Sequence, residues 1–146
     1  MFLNTDFLKD DEIFLRLERT AEAAPVKAWV PTYYFSICRS DGAVVGKCNL
    51  RIGHNQQLYY GGNIGYGVDE PYRGYHYAGK ACKLLFELAR RHELDYVYIT
   101  CNVTNDASAK TCEYAGGQLV AVENLPEEND MYKKGIRQVK VYRFEL

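Results

Sequence analysis

The stretch VDEPYRGYHYAGKACKLL, Val68 to Leu85, narrows the choice of fold more than any other part of this chain. It begins in a strand-like run, passes through a turn holding proline, arginine and glycine, and ends in a helix. Upstream, NIGYGV (Asn63 to Val68) alternates, with Ile64, Tyr66 and Val68 on one face and Asn63, Gly65 and Gly67 on the other. Downstream, apolar residues recur at 78, 81, 82, 85, 88 and 89, the stripe of a helix over Ala78 to His92 packed on a sheet. A strand that turns directly into such a helix calls for a layered α/β or α+β fold.

The flanking segments fill in that layer. Asp10 to Ala24 is expected to form an amphipathic helix, since Ile13, Leu15 and Leu17 are mixed with Arg16, Glu18 and Arg19, and Pro25 closes the run. Tyr33 to Arg39 and Val44 to about Ile52 read as strands joined by the turn Ser40-Asp41-Gly42. DYVYITC (Asp95 to Cys101) is dense in β-formers and reads as a buried strand. A helix over Asp106 to Ala115 is stopped by Gly116-Gly117, and strands near Gln118 to Glu123 and Arg137 to Phe144 flank a charged loop. The expected order is helix, three strands, helix, strand, helix, two strands. This gives one domain over residues 1–146, with a mixed, mostly antiparallel sheet of about six to seven strands and helices on both faces.

Composition removes several classes of function. A net charge of -1 offers no global attraction for nucleic acid or an anionic membrane. MFLNTDFLKDDEIF at the N-terminus is charged early and lacks a long apolar core, so neither a targeting segment nor a membrane span is expected. Cys38, Cys48, Cys82, Cys101 and Cys112 form no C-x-x-C pair, and an odd count points to a reducing cytoplasm. His54, His76 and His92 are scattered, without metal-ligand spacing, so no zinc site is expected.

The turn itself has a chemistry. The first N–H groups of a helix have no partner within it, and its dipole favours negative charge there. A diphosphate suits that geometry, with Arg73 as a nearby cation, Gly74 allowing close approach, and Ala78 and Gly79 keeping the first turn uncluttered. A plain surface loop capped by water is the alternative. The glycine-lined strand adds a second clue, because repeated glycines mark close approach by a ligand or another backbone. An extended arm with amides can pair with such an edge at Val68. Coenzyme A has both a diphosphate and such an arm. A Walker loop fits less well, because Gly79-Lys80 is followed by Ala81, which cannot ligate magnesium. A dinucleotide fold would place its glycine turn after an early strand.

Arg73-Gly74-Tyr75-His76-Tyr77-Ala78 resembles the acetyl-CoA loop [RQ]-x-x-G-x-[GA] of the GCN5-related N-acetyltransferase superfamily, with His76 in place of the middle glycine. TCNVTNDASAKTCEYAGG (Thr100 to Gly117) is similar to that family's strand, Asn-x-x-Ser helix and closing glycine turn, with Gly117 replacing the usual aromatic. The resemblance covers about Val44 to Phe144, and implies that Tyr75, His76, Tyr77, Asn105 and Ser108 join Val68, Arg73, Gly74, Ala78 and Gly79 around the cofactor. His76 either has ordinary backbone angles, places its imidazole near the phosphates, or faces solvent. Family members often carry a tyrosine acid seven residues after the asparagine; here that residue is Cys112. Cys112 is then an acid for the departing thiolate, an acetyl acceptor, or a packing residue, while Tyr114 points away from it.

What the resemblance implies is direct acetyl transfer from acetyl-CoA to a primary amine of a small molecule or peptide, with an N–H near Val68 polarising the carbonyl. Asp69, Glu70 and Glu18 are candidate bases, and none is singled out. The acceptor is expected at the N-terminal helix and the loop Leu125 to Gln138, in a monomer or homodimer. Two rivals remain: a module that senses acyl-CoA without turnover, and a magnesium-dependent nucleotide-binding protein.

Overall fold

The computed structural model describes residues 2–146. In chain order the elements are β1 (Ile13–Ala21), β2 (Thr32–Arg39), β3 (Val44–Arg51), α1 (Gln56–Gly61), β4 (Ile64–Val68), α2 (Tyr77–Arg91), β5 (Tyr96–Asn102), α3 (Asp106–Tyr114), β6 (Gln118–Asn124), α4 (Asp130–Lys133) and β7 (Gln138–Glu145), with 3-10 turns at Pro25–Lys27 and Glu70–Tyr72. The strands form two sheets, ordered β1-β2-β3-β4 and β5-β7-β6, and each ladder within them is antiparallel.

The expected N-terminal helix is a strand. Ile13, Leu15 and Leu17 are two apart, which is the period of a pleated strand and not of a helix. Ile13 and Leu15 are buried while Arg16 and Glu18 face out, and β1 pairs with β2 from Ile13↔Arg39 to Ala21↔Thr32. A bulge between Leu17 and Arg19 shifts the register and leaves Leu17 outside the core. Pro25 does not end a helix; it opens the 3-10 turn of a small loop bridged at Ala24 and Trp29. The element order therefore starts with a strand, and the Asp41-Gly42 hairpin follows as the sequence suggests, with Gly42 at φ 93°.

Helix α2 carries the main packing. Its Ala81, Cys82, Leu85, Leu88 and Ala89 are fully buried beneath Tyr33, Phe35, Ile37, Leu50 and Ile64 of the first sheet. Each large side chain buried there contributes about 1.5–3 kcal/mol. The same cluster continues through Val97, Ile99, Cys101, Cys112, Tyr142 and Phe144, so one core spans both sheets. A smaller cluster of Leu125, Val139 and Val141 gathers Tyr59, Tyr60, Tyr98, Met131, Tyr132 and Ile136. The charged loop from Leu125 to Gln138 thus contains α4 and an apolar patch of its own. Helix α1 is an addition to the sequence reading, nucleated where the Asn55 side chain accepts the Leu58 N–H at 2.9 Å.

Among the described residues, backbone hydrogen bonds join the two sheets at one point. Asn63, fully buried, donates its N–H to the Tyr98 carbonyl at 2.7 Å, and its side-chain oxygen accepts the Tyr98 N–H at 2.9 Å. Its side-chain nitrogen donates to the Arg51 and Gly53 carbonyls at 3.1 and 2.8 Å. Gly62, at φ 80°, lets the chains come this close: a Cβ there would stand 3.1 Å from Thr100 N and Tyr98 O. Beyond Asn63, β4 and β5 form no ladder among the described residues, and this unpaired stretch between the two sheets is the wedge.

Candidate active site

The wedge has one wall of unpaired backbone. Arg51 N–H bonds the Asn63 carbonyl and Asp69 N–H bonds the Val45 carbonyl, each at 2.8 Å. That pattern makes Ile64, Tyr66 and Val68 the non-hydrogen-bonded partners of β3, so they turn their N–H and C=O groups to the opposite, open edge. The N–H groups of Tyr66 and Val68 have no acceptor among the described residues. The Val68 carbonyl is held by Arg73 Nε at 2.9 Å, so the arginine expected beside phosphates lies against the strand edge.

At the end of β4 the chain enters α2 through a loop of free donors. The first helical bond is Lys80 N–H to the His76 carbonyl at 2.9 Å, and no described residue accepts from any backbone N–H between Gly74 and Gly79. Gly74 sits at φ 94°, where a Cβ would meet open space, so its conformation and not crowding calls for glycine. His76, at φ 64° and ψ 23°, adopts the left-handed conformation, which is not the ordinary one. Its ring stacks on Tyr114 at 4.3 Å, and Lys83 Nζ lies 4.6 Å from the centre of the same tyrosine ring. Gly79 is needed for the same contact: a Cβ there would collide with the Tyr114 ring at Cδ1. The exposed Tyr75 stacks on Tyr77, and Lys80 pairs with Glu12. Tyr114, which sequence reasoning set aside, therefore braces the loop from α3. Its only sequence signal was an aromatic near the end of that helix.

Across the wedge, α3 presents Asn105, Ser108 and Cys112 on one face, but in different environments. Asn105 is exposed and caps the helix, accepting the Ser108 N–H at 3.1 Å. Ser108 is half-buried, and its Oγ lies 2.6 Å from the Tyr66 hydroxyl. Cys112 is wholly buried, 3.9 Å from that hydroxyl, and burial pushes its thiol up to about 12. At that value the thiolate is a negligible species at neutral pH. Tyr66, also raised by burial, remains a neutral phenol. The sequence placed Tyr66 only on the apolar face of its strand; its hydroxyl bridge to α3 is visible in three dimensions alone.

On the other face of β4, the bare strip of Gly65 and Gly67 floors a groove of about 510 Å³, walled by Glu18, Ser36, Lys47 and Asn49. A Cβ at Gly67 would meet nothing within 4 Å, whereas one at Gly65 would stand 3.0 Å from Asn49 Nδ2, so the strip is open at Gly67 and closely covered by Asn49 at Gly65. Glu18 stands on β1, where Arg16 Nε at 2.7 Å and Ser36 Oγ at 3.0 Å hold its carboxyl below its ordinary value. That makes it a weakened base. Asp69 and Glu70 are exposed at the strand end. No helix among the described residues is long and apolar enough to cross a membrane.

Comparison with known proteins places this architecture in a family. The family model for the acetyltransferase (GNAT) domain matches residues 7–118, most of the chain, and the chain belongs to that family. No curated protein matches it by sequence. Among solved structures it is similar to the microcin C7 self-immunity acetyltransferase MccE in complex with acetyl-CoA and AMP: 20% identity, TM-score 0.62, over 79% of this chain and 61% of that one. A complex of RimL, a ribosomal L7/L12 alpha-N-protein acetyltransferase, with coenzyme A matches at 20% identity and TM-score 0.62, over 79% of this chain and 62% of that one. A Vibrio cholerae chain proposed to be a ribosomal-protein-serine acetyltransferase matches at 16% identity and TM-score 0.68, over 99% of this chain and 100% of that one. The match thus spans about three-fifths of the first two proteins, and at these identities the likeness is one of fold.

Proposed function

We propose that this chain is an N-acetyltransferase that moves an acetyl group from acetyl-CoA to a primary amine of a small molecule or peptide by direct attack. The observation that carries the reading is the unpartnered run of N–H groups from Gly74 to Gly79 at the head of a 15-residue helix, contiguous with the free edge of β4. Such donors suit a diphosphate, and the β4 edge suits an amide-bearing arm. Tyr75, His76, Tyr77 and Ala78 contribute backbone to the cradle, with Arg73 free to leave the Val68 carbonyl for the phosphates. Asn105 and Ser108 line the opposite wall.

When bound, acetyl-CoA supplies an activated acyl group on a thiol leaving group. The chain supplies position and a fixed dipole: Val68 N–H, aimed into the wedge, polarises the carbonyl as an oxyanion-hole donor. The amine approaches over the Gly65 and Gly67 strip, where the groove is open. Cys112 is a packing residue in this reading, because a buried thiol at about 12 is neither a ready acid nor a ready nucleophile. The whole chain acts as a single acyl-CoA-binding domain, since one core reaches both sheets. Five free, buried cysteines agree with a cytoplasmic setting.

The weakness of Cys112 as an acid also favours a second reading, an acyl-CoA-binding module without turnover. The first experiment is a melting titration with acetyl-CoA, coenzyme A and ATP. A ligand of the folded state at a hundredfold excess over its Kd adds about 2.7 kcal/mol, a shift of several degrees. A shift with both coenzyme A species and none with ATP is the expected result; no shift with either coenzyme A species overturns both readings. A panel of primary amines then separates them, because the module leaves acetyl-CoA intact.

A further inference from the structure

Transfer of an acetyl group leaves negative charge on sulfur, and the wedge must accommodate it. The amine nitrogen forms the new C–N bond, the C–S bond breaks with its electron pair going to sulfur, and the amine proton passes to solvent. A thiolate formed in a partly dry wedge is costly unless a donor meets it. Cys112, on the α3 face, is a poor donor for the reasons given. The wedge has a better one. Tyr66 precedes Val68 by two residues on β4, and its ring crosses from the strand to α3. Its hydroxyl lies 2.6 Å from Ser108 Oγ, 3.3 Å from the Ser108 carbonyl and 3.9 Å from Cys112 Sγ.

We propose that the Tyr66 hydroxyl, held across the wedge by Ser108, donates a hydrogen bond to the sulfur that leaves during acetyl transfer, so that the donor resides on β4 and not on α3. This assignment rests on the acetyl-CoA reading above. The small side chain at Cys112 is part of it, because a larger one would occupy the space the Tyr66 ring now fills against α3. The groups facing the phenol are Ser108 and Cys112 from α3 and Cys82 from α2, so no charged side chain among them competes for the proton. Ser108 is a positioning residue: its Oγ–H can donate to the phenol oxygen, while the phenolic O–H, which donates to the Ser108 carbonyl at a long 3.3 Å, turns to the sulfur when the coenzyme is bound, and a chain of two such bonds polarises in one direction. A phenol that stays neutral over the working range is suited to this role, since it stabilises a thiolate without surrendering its proton.

The roles of the two side chains are separable by measuring the thiol of bound coenzyme A itself. Free coenzyme A is titrated in complex with the wild type, Tyr66→Phe and Cys112→Ala, and the thiolate is followed by its ultraviolet absorbance against pH. In Tyr66→Phe the thiol of the bound coenzyme is expected to ionise about one pH unit higher than in the wild type, a tenfold loss of thiolate at a given pH. With acetyl-CoA and a turned-over amine, kcat falls at least about tenfold while KM for acetyl-CoA holds. Ser108→Ala shifts the ionisation in the same direction by less, and serves as the test if Tyr66→Phe does not fold. Binding retained with the same ionisation in wild type and Tyr66→Phe overturns the role of Tyr66 alone. A shift in Cys112→Ala but not in Tyr66→Phe moves the donor to Cys112. No binding of coenzyme A by the wild type removes the acetyl-CoA reading, and this assignment with it.

Discussion

The two ends of β4 are opposites. At its start, Asn63 is fully buried and its backbone and side-chain polar groups bind Arg51, Gly53 and Tyr98, so the two sheets are tied. At its end, the N–H groups of Tyr66 and Val68, like every N–H from Gly74 to Gly79 in the loop beyond them, have no acceptor among the described residues. Asn63 and Tyr66 are only three positions apart. A closed end makes the open end possible: without the tie, the exposed edge of β4 would be free to close on β5 or to fray. Unsatisfied backbone is tolerated where solvent or a ligand can reach it, and is rare where it cannot.

Removing the tie should have the largest effect. Asn63→Ala deletes three side-chain hydrogen bonds and strands their half-buried partners, a loss of about 3 kcal/mol. Urea unfolding is expected to show that loss in the midpoint, and coenzyme A binding should weaken with it as the wedge loses its shape. Next comes the brace of the loop. Gly79→Ala places a Cβ against the Tyr114 ring and displaces it from His76, costing about 1–2 kcal/mol. If Tyr114→Ala relieves that cost in the double variant, the contact is confirmed as its source.

The open end should respond in the reverse way, in affinity more than in stability. Gly74→Val puts a branched side chain at φ 94°, for about 1 kcal/mol of backbone strain, with nothing else crowded. The melting temperature should fall a few degrees, while affinity for coenzyme A drops by tenfold or more. Unchanged affinity in a folded variant would place the diphosphate elsewhere.

The smallest effect is a pH dependence of the core side. Burial lowers the His92 imidazole below its ordinary value, where its Nε2 meets the Tyr33 hydroxyl at 2.6 Å. The folded form therefore holds the proton less well than the unfolded form. Stability is unaffected above the unfolded value of about 6.5 and is lost as pH falls from there toward the depressed one. Melting curves from pH 8 to 5 should show that decline, and His92→Gln should flatten it in part, because His54 is lowered in the same direction.

Much of this contrast was legible in the sequence. The alternation of NIGYGV, the stripe of α2 and the turn between them point to β4, α2 and the connecting loop, and the structure has those elements there, with free N–H groups from Gly74 to Gly79. Helix α3 fell where Asp106 to Ala115 was read, and the Asp41-Gly42 hairpin where it was expected. The N-terminal segment differs from its expectation: mixed charged and apolar residues suggest a helix, while the spacing of Ile13, Leu15 and Leu17 is that of a strand. Asn63 reads as part of a bare face with Gly65 and Gly67, since nothing local says that an asparagine will be covered by a second sheet.

The sequence by itself determined the features that neighbours along the chain set: the periods of the elements, the glycines that permit positive φ, and a helix start without a side-chain cap. Only the tertiary structure decided the contacts between distant residues. Tyr66 meets Ser108 across 42 positions, and Asn63 meets Tyr98 across 35. The reason is physical. Periodicity and backbone preference act over a few residues, but whether a polar atom is paired, dry or free depends on which distant segment arrives beside it.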